Sequence, residues 1–276
     1  MKTFASRNRN KNLSIVSAVF LGFLLTLGMQ GCSDSKSPPP NFDAANGLFS
    51  GSGTVNTDVA LDDVRGFVHD GRFIFFDQAE AVLYDGNFTS ISDTAIQATV
   101  NVYEDGAKST SSSVNVTGTL VSESSLILNF NGTGYAAGSL SLTFDTALYN
   151  RGATMARLAA DSSARWIGDA HTPTTTVSGN VRILSDDDEA DFTFSGDTGA
   201  PSQCQYNGVK SIPDANINIY LIDSMDVTQF VTSCDHLGTG YTGFFSVVDG
   251  DFEDDTVLFA VTNGTHSNFS IMTKPE

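Results

Sequence analysis

The residues of this chain best placed to do chemistry are acidic. Asp249-Gly250-Asp251-Phe252-Glu253-Asp254-Asp255 sets carboxylates at alternate positions 249, 251 and 253, as a loop does when it offers hard oxygens to a calcium ion. Like charges crowded on a turn repel, and a divalent cation would relieve them. The pattern departs from an EF-hand, because Asp254 stands where the turn glycine belongs and Ala260 where the bidentate Glu belongs. A second acidic run, Asp186-Asp187-Asp188-Glu189 with Asp191, lies between two apolar stretches. Both runs also suit solvated hairpin tips that keep β edges from pairing with other chains. Asp249, Asp251 and Glu253 are therefore the candidate calcium ligands, and no other cofactor is expected.

Catalytic constellations are hard to find. His69, His171, His236 and His266 lie far apart, none at H-x-x-x-H or H-E-x-x-H spacing. There is no G-x-S-x-G elbow and no Walker glycine–lysine loop. Ser and Asp are abundant enough that a chance triad in space would mean little, so an enzyme is not expected. His69, beside Asp70-Gly71-Arg72, reads as an exposed hairpin residue. Trp166, the only tryptophan, reads as a core or inter-lobe plug before it reads as a ligand-stacking ring. Phe73, Phe75 and Phe76 read as strand core.

The N-terminal segment carries a different chemistry. Lys2, Arg7, Arg9 and Lys11 precede an uncharged, mostly apolar stretch from Leu13 to Leu27. That stretch is short for a membrane span and of the right length for a signal h-region. Gly28-Met29-Gln30-Gly31-Cys32 follows, and it resembles the lipobox of bacterial lipoproteins. The resemblance implies cleavage before Cys32 and a diacylglycerol on its thiol, making Cys32 the lipidation site. Ser33 to Asn41 is polar, with Pro38-Pro39-Pro40 favouring an extended spacer. Ser33 rather than Asp follows Cys32, which in enterobacterial sorting favours the outer membrane, although Asp34 stands one step later.

Residues 1–31 hold four of the 14 basic residues and none of the 32 acidic ones, so the remainder carries 10 against 32, a formal charge of −22. Nucleic acid and anionic headgroups are poor partners for such a surface. With Cys32 assigned to lipid, Cys204 and Cys234 remain as one pair, and an oxidising envelope suits a disulfide. A metal pair or redox dithiol is the alternative, without C-x-x-C spacing.

The dominant period of the sequence is two. Ile96, Ala98, Val100 and Val102 alternate with polar neighbours, as do Leu140, Leu142 and Phe144, then Ile217, Ile219 and Leu221, then Val257, Phe259 and Val261. Antiparallel strands with one face on a core and one in water are predicted. Asx-Gly pairs at Asp70, Asp85, Asp105, Asn131, Asn207, Asp249 and Asn263 predict tight hairpin turns between them. A transmembrane barrel is not favoured, since the strands are short and Met272 to Glu276 lacks a terminal aromatic strand.

The meander occurs twice. Tyr84-Asp85-Gly86-Asn87-Phe88 is echoed by Tyr206-Asn207-Gly208, and the strand Ala95 to Tyr103 by Ala215 to Ile222. Gly47-Leu48-Phe49-Ser50-Gly51 corresponds to Arg165-Trp166-Ile167-Gly168. Thr154 to Ala164 is the one predicted helix after the leader, with Met155, Leu158 and Ala159 on its buried stripe. The expected organisation is a signal peptide (1–31), a lipidated tether (32–46), a first β lobe (47–149), a short helical linker (150–170) and a second, disulfide-bearing β lobe (171–276). The fold class is all-β, two related antiparallel meanders, barrel- or sandwich-like.

The glycine-rich start at Gly47, the Leu148-Tyr149-Asn150-Arg151…Leu158…Trp166-Ile167-Gly168 stretch, Cys204-Gln205-Tyr206-Asn207-Gly208, Cys234…Tyr241-Thr242-Gly243 and Val261-Thr262-Asn263-Gly264 together resemble a group of β-rich proteobacterial lipoproteins of no assigned activity. The resemblance implies the anchor and the fold type and brings no catalytic residue. In architecture alone, a β-barrel on a lipid tether is also similar to surface lipoproteins that bind host proteins. A non-catalytic binding role at the outer membrane is expected, with an unidentified protein or small ligand as partner. A periplasm-facing assembly factor and a hydrolase with a hidden site are the alternatives.

Overall fold

The computed structural model describes residues 41–158, 166–171, 176–181, 191–194, 204–229, 234 and 237–274. The signal, Cys32 and its tether, the acidic run 186–189 and residues 159–164 of the expected helix lie outside the described residues.

The first lobe is built from β1 (Gly47–Val55), β2 (Val59–His69), β3 (Arg72–Asp77), β4 (Val82–Ser92), β5 (Ala95–Glu104), the two-residue β6 (Ala107–Lys108), β7 (Val114–Val121), β8 (Ser125–Asn131) and β9 (Ala137–Phe144). Each long strand pairs antiparallel with the next, and β6 only extends the β5 hairpin. β9 returns to β1, with Phe49 opposite Phe144 and Val55 opposite Gly138, so eight strands close into a barrel. Closure leaves no strand edge to pair with another chain. At this strand number the interior is just wide enough for side chains to fill it. Phe73 stacks on Phe75 at 5.5 Å and Tyr84 on Phe130 at 4.8 Å between centroids. Val64, Val100, Leu126 and Leu140 join them in the same buried cluster. The barrel is a packed core rather than a cup.

The second lobe contains β10 (Trp166–His171), β11 (Thr176–Val181), β12 (Asp191–Phe194), β13 (Cys204–Ser211), β14 (Tyr220–Gln229), β15 (Gly238–Val248), β16 (Thr256–Thr262) and β17 (Ser267–Thr273). They form a curled half-barrel in the order β11-β10-β17-β16-β15-β14-β13-β12. Its first strand pairs with its last, as β1 does with β9. The duplication is thus visible in topology: Tyr84-Asp85-Gly86 lies on the fourth strand of one meander and Tyr206-Asn207-Gly208 on the fourth of the other. Cys204 and Cys234 are joined in a disulfide whose Cα atoms are 5.2 Å apart, and both are buried in the second core.

Between the lobes the chain makes two single-turn helices, α1 (Thr146–Tyr149), capped by the Asp145 carboxylate at 2.9 Å from the Leu148 N–H, and α2 (Met155–Leu158). The helical linker expected to run to residue 170 is shorter than that, since Trp166–His171 is strand β10. Trp166 is the core plug expected of it: its ring fills the second core and its indole N–H donates to the Leu158 carbonyl at 3.1 Å.

Three expectations about the strands and turns also need correction. Asp70-Gly71 (φ 47° and 79°) and Asp105-Gly106 (φ 48° and 77°) are left-handed turn pairs as predicted. Asp85-Gly86 and Asn207-Gly208, however, lie inside β4 and β13. A Cβ on Gly86 would collide with the Phe73 ring, so the glycine makes room for an interior aromatic instead of a turn. The strand predicted from Ala215 begins at Tyr220; Tyr220 and Ile222 face the second core, while Ile219, with Ile217 and Leu221 beside it, packs in the cluster between the lobes.

The third correction concerns water. The outward faces of β2, β3 and β4 pack on those of β15, β16 and β17, through Phe67, Ile74, Phe76 and Leu83 on one side and Phe244, Leu258, Ala260 and Phe269 on the other. Phe67 lies 5.7 Å from Phe244 and Phe76 5.4 Å from Phe269. These strands therefore have two buried faces, and every residue of β16 is buried.

Candidate functional site

The loop between β15 and β16 carries the three candidate calcium ligands, and the structure puts them to different uses. The Asp249 carboxylate receives both Nη1 and Nη2 of Arg151. Arg151 reaches Asp254 as well, at 3.3 Å. Arg157, on α2, donates to both oxygens of Asp254, at 2.9 Å from Nε and 2.5 Å from Nη2, and also to the carbonyls of Gly152 and Val247. Asp255 accepts the N–H of Phe252 at 2.9 Å and the Thr256 hydroxyl at 3.0 Å. Three of the five carboxylates are thus turned onto arginines or onto the loop's own backbone.

Asp251 and Glu253 are left exposed on either side of Phe252, whose side chain is 65% exposed. Together with Thr273 and Lys274 the loop lines a shallow open cleft. Among the described residues no group of three or more His, Cys, Asp or Glu side chains is gathered tightly enough to hold a metal ion. The sequence pointed to the acidic loop and missed the arginines that organise it. Arg151 and Arg157 sit 98 and 97 residues from their partners, and nothing local marks them.

The electrostatics follow the geometry. The Arg151 hydrogen bonds hold the Asp249 carboxyl below the usual carboxylate range, and those of Arg157 do the same for Asp254, each against a smaller opposing effect of burial. A carboxylate depressed in the folded state stabilises the fold above its ordinary value of 3.8 and loses that contribution as pH falls through the lower, folded value. The wild type is therefore expected to lose stability faster than an Arg151→Ala/Arg157→Ala variant as pH drops from about 4 to 2, which acid titration of the melting temperature checks. Parallel acid curves would contradict it. Calcium at millimolar concentration is expected to leave the wild-type melting temperature unchanged, because a cation would have to displace Arg151 from Asp249.

His236 lies outside the described residues, and of His171 only the backbone is described. His69 is not the exposed hairpin residue expected from Asp70-Gly71. It is half-buried, with its ring edge-on to Phe244 at 6.5 Å across the contact between the lobes. Beside it, Arg72 forks onto Asp85 (2.9 and 3.1 Å) and reaches the Thr242 hydroxyl at 2.9 Å in the second lobe.

The class that emerges is an all-β protein of two fused meanders, one a closed and filled barrel, with a salt-bridged acidic loop on the second. No family model and no curated protein matches the sequence. A solved structure that aligns with it is that of a provisionally named outer membrane protein from Bacteroides fragilis NCTC 9343, at 14% identity, over 83% of this chain and 97% of that one, with a TM-score of 0.23. So loose a superposition transfers no function. No helix among the described residues is long and apolar enough to cross a membrane, which says nothing of strands.

Proposed function

We propose that the chain is a bacterial envelope lipoprotein, acylated at Cys32 and held at the outer membrane, that works by binding rather than by catalysis. The observation that carries this reading is the order of segments: a basic and apolar leader, the Gly28-Met29-Gln30-Gly31-Cys32 lipobox, a Pro38-Pro39-Pro40 spacer, then the folded unit. The filled barrel supports binding on an outer surface rather than in a cavity. The acidic balance supports a partner that is not a polyanion.

Cys32→Ser is expected to abolish palmitate labelling and to move the protein from the membrane to the soluble fraction. Retained labelling would sink the lipoprotein reading. Protease treatment of intact cells, beside a periplasmic control, then decides on which side the domain is displayed. Digestion with the control spared supports a surface ligand. Protection until the outer membrane is broken supports a periplasmic partner.

A further inference from the structure

Polar atoms without a protein partner collect where the first barrel meets the second sheet. Among the described residues, the buried Nδ1 atoms of His69 and His266 and the buried hydroxyls of Ser246 and Ser267 make no hydrogen bond. Buried polar groups are normally paired, and leaving one unpaired is costly. These unpaired groups mark the contact.

His69 occupies the critical place on it. It ends β2, directly across from Arg72 on β3. The Arg72 guanidinium lies 5.6 Å from the centroid of the same Phe244 ring that the imidazole touches. Three carboxylates act on the ring: Asp70 from its own hairpin, Asp43 from the turn ahead of β1, and Asp214 from the stretch before β14. β15 contributes Phe244. A neutral imidazole can rest there. An imidazolium would have to give up its hydration to sit there, with two N–H donors of which the one on Nδ1 meets no acceptor.

We propose that His69 is an acid-sensitive latch, whose protonation loosens the contact between the first barrel and the second sheet while each sheet stays folded. Burial outweighs the three carboxylates and holds the seated imidazole below its ordinary 6.5. A water-exposed His69 therefore takes its proton at higher pH than a seated one. The contact is fully held above the ordinary value, weakens as pH falls through the lower seated value, and weakens no further below it. Opening would bare Phe67, Ile74, Phe76, Phe244 and Phe269, an apolar surface of the kind that partners dock on. The latch stands independently of whether Cys32 is acylated.

Backbone amides that donate across the contact report on it: the Lys108 N–H to the Thr265 carbonyl, the Ser267 N–H to the Gly106 carbonyl, and the Ile271 N–H to the Gln78 side-chain oxygen. Hydrogen exchange on the purified protein, corrected for intrinsic rates, is expected to quicken several-fold at these amides between pH 7.5 and 5.5. Amides inside the barrel, such as Phe75 and Val100, should hold steady. In His69→Gln the acceleration should vanish. Acceleration that persists in that variant, or that is equal across the molecule, overturns the latch. An NMR titration of His69 in the wild type tests it without any variant: a midpoint below 6.5 supports the latch, and one at or above 6.5 overturns it.

Discussion

Replacing both bridged cysteines, as Cys204→Ala with Cys234→Ala, is expected to lower the stability of the second sheet by about 3–4 kcal/mol and its melting temperature by roughly 10 °C. The bond joins residues 30 apart, so it closes a loop whose freedom in the unfolded chain it removes. It ties the first residue of β13 to the connection between β14 and β15, in the core that also holds Tyr206, Met225 and Tyr241. The first barrel contains neither cysteine and closes on itself through β1 and β9. Its unfolding should be nearly unchanged, and calorimetry of the variant should resolve an early transition from a later one. A single transition at the wild-type temperature would show that the bridge adds nothing. Because both cysteines are buried, mild reductant without denaturant is expected to leave the bridge intact.

How much of this could be read from the residues depends on how local the signal was. Alternation in Ile96-Ala98-Val100-Val102 and Leu140-Leu142-Phe144 names the inward side correctly, because each contact it reflects is made by a strand with one dominant core. Asp70-Gly71 and Asp105-Gly106 are hairpin turns for the reason their chemistry gives, two consecutive left-handed residues. The same dipeptide at Asp85-Gly86 misleads, because its glycine answers a packing demand from Phe73 that only the fold creates. The buried seam had a signal of its own, the unbroken apolar runs Phe73–Phe76 and Val257–Val261. A one-face reading of strands discounts it. The acidic loop was legible as charge and illegible as structure: its partners Arg151 and Arg157 are brought to it only when α2 docks beside the second core. His69 was misplaced for the same reason, since the ring it rests on belongs to residue 244.

Arg72→Ala is expected to cost about 3 kcal/mol, because it strands the Asp85 carboxylate, 12% exposed, without its cation. The Arg72 fork holds both Asp85 oxygens, and the same guanidinium reaches the Thr242 hydroxyl and, at 3.3 Å, the Thr262 hydroxyl of the second lobe. Thr262 donates to Asp85 in turn, at 2.5 Å. The pair is thus a polar pin through an otherwise apolar contact. A pin of this kind need not stabilise relative to a hydrophobic filling, since desolvation offsets much of the attraction. Arg72→Met with Asp85→Leu is accordingly expected to fall within about 1 kcal/mol of wild type, while Arg72→Lys, which cannot fork, recovers only part of the loss. Urea titration of wild type, Arg72→Met, Asp85→Leu and the double variant as a double-mutant cycle measures the coupling directly. A single-variant loss under about 1 kcal/mol would mean that water reaches Asp85 freely. The duplication supplies its own control. At the position equivalent to Asp85, on the fourth strand of the second sheet, the chain carries Asn207, neutral and exposed. The two meanders differ there because only the first of these faces has another lobe packed on it. The ion pair therefore belongs to the contact and has no counterpart at the equivalent position of the second meander.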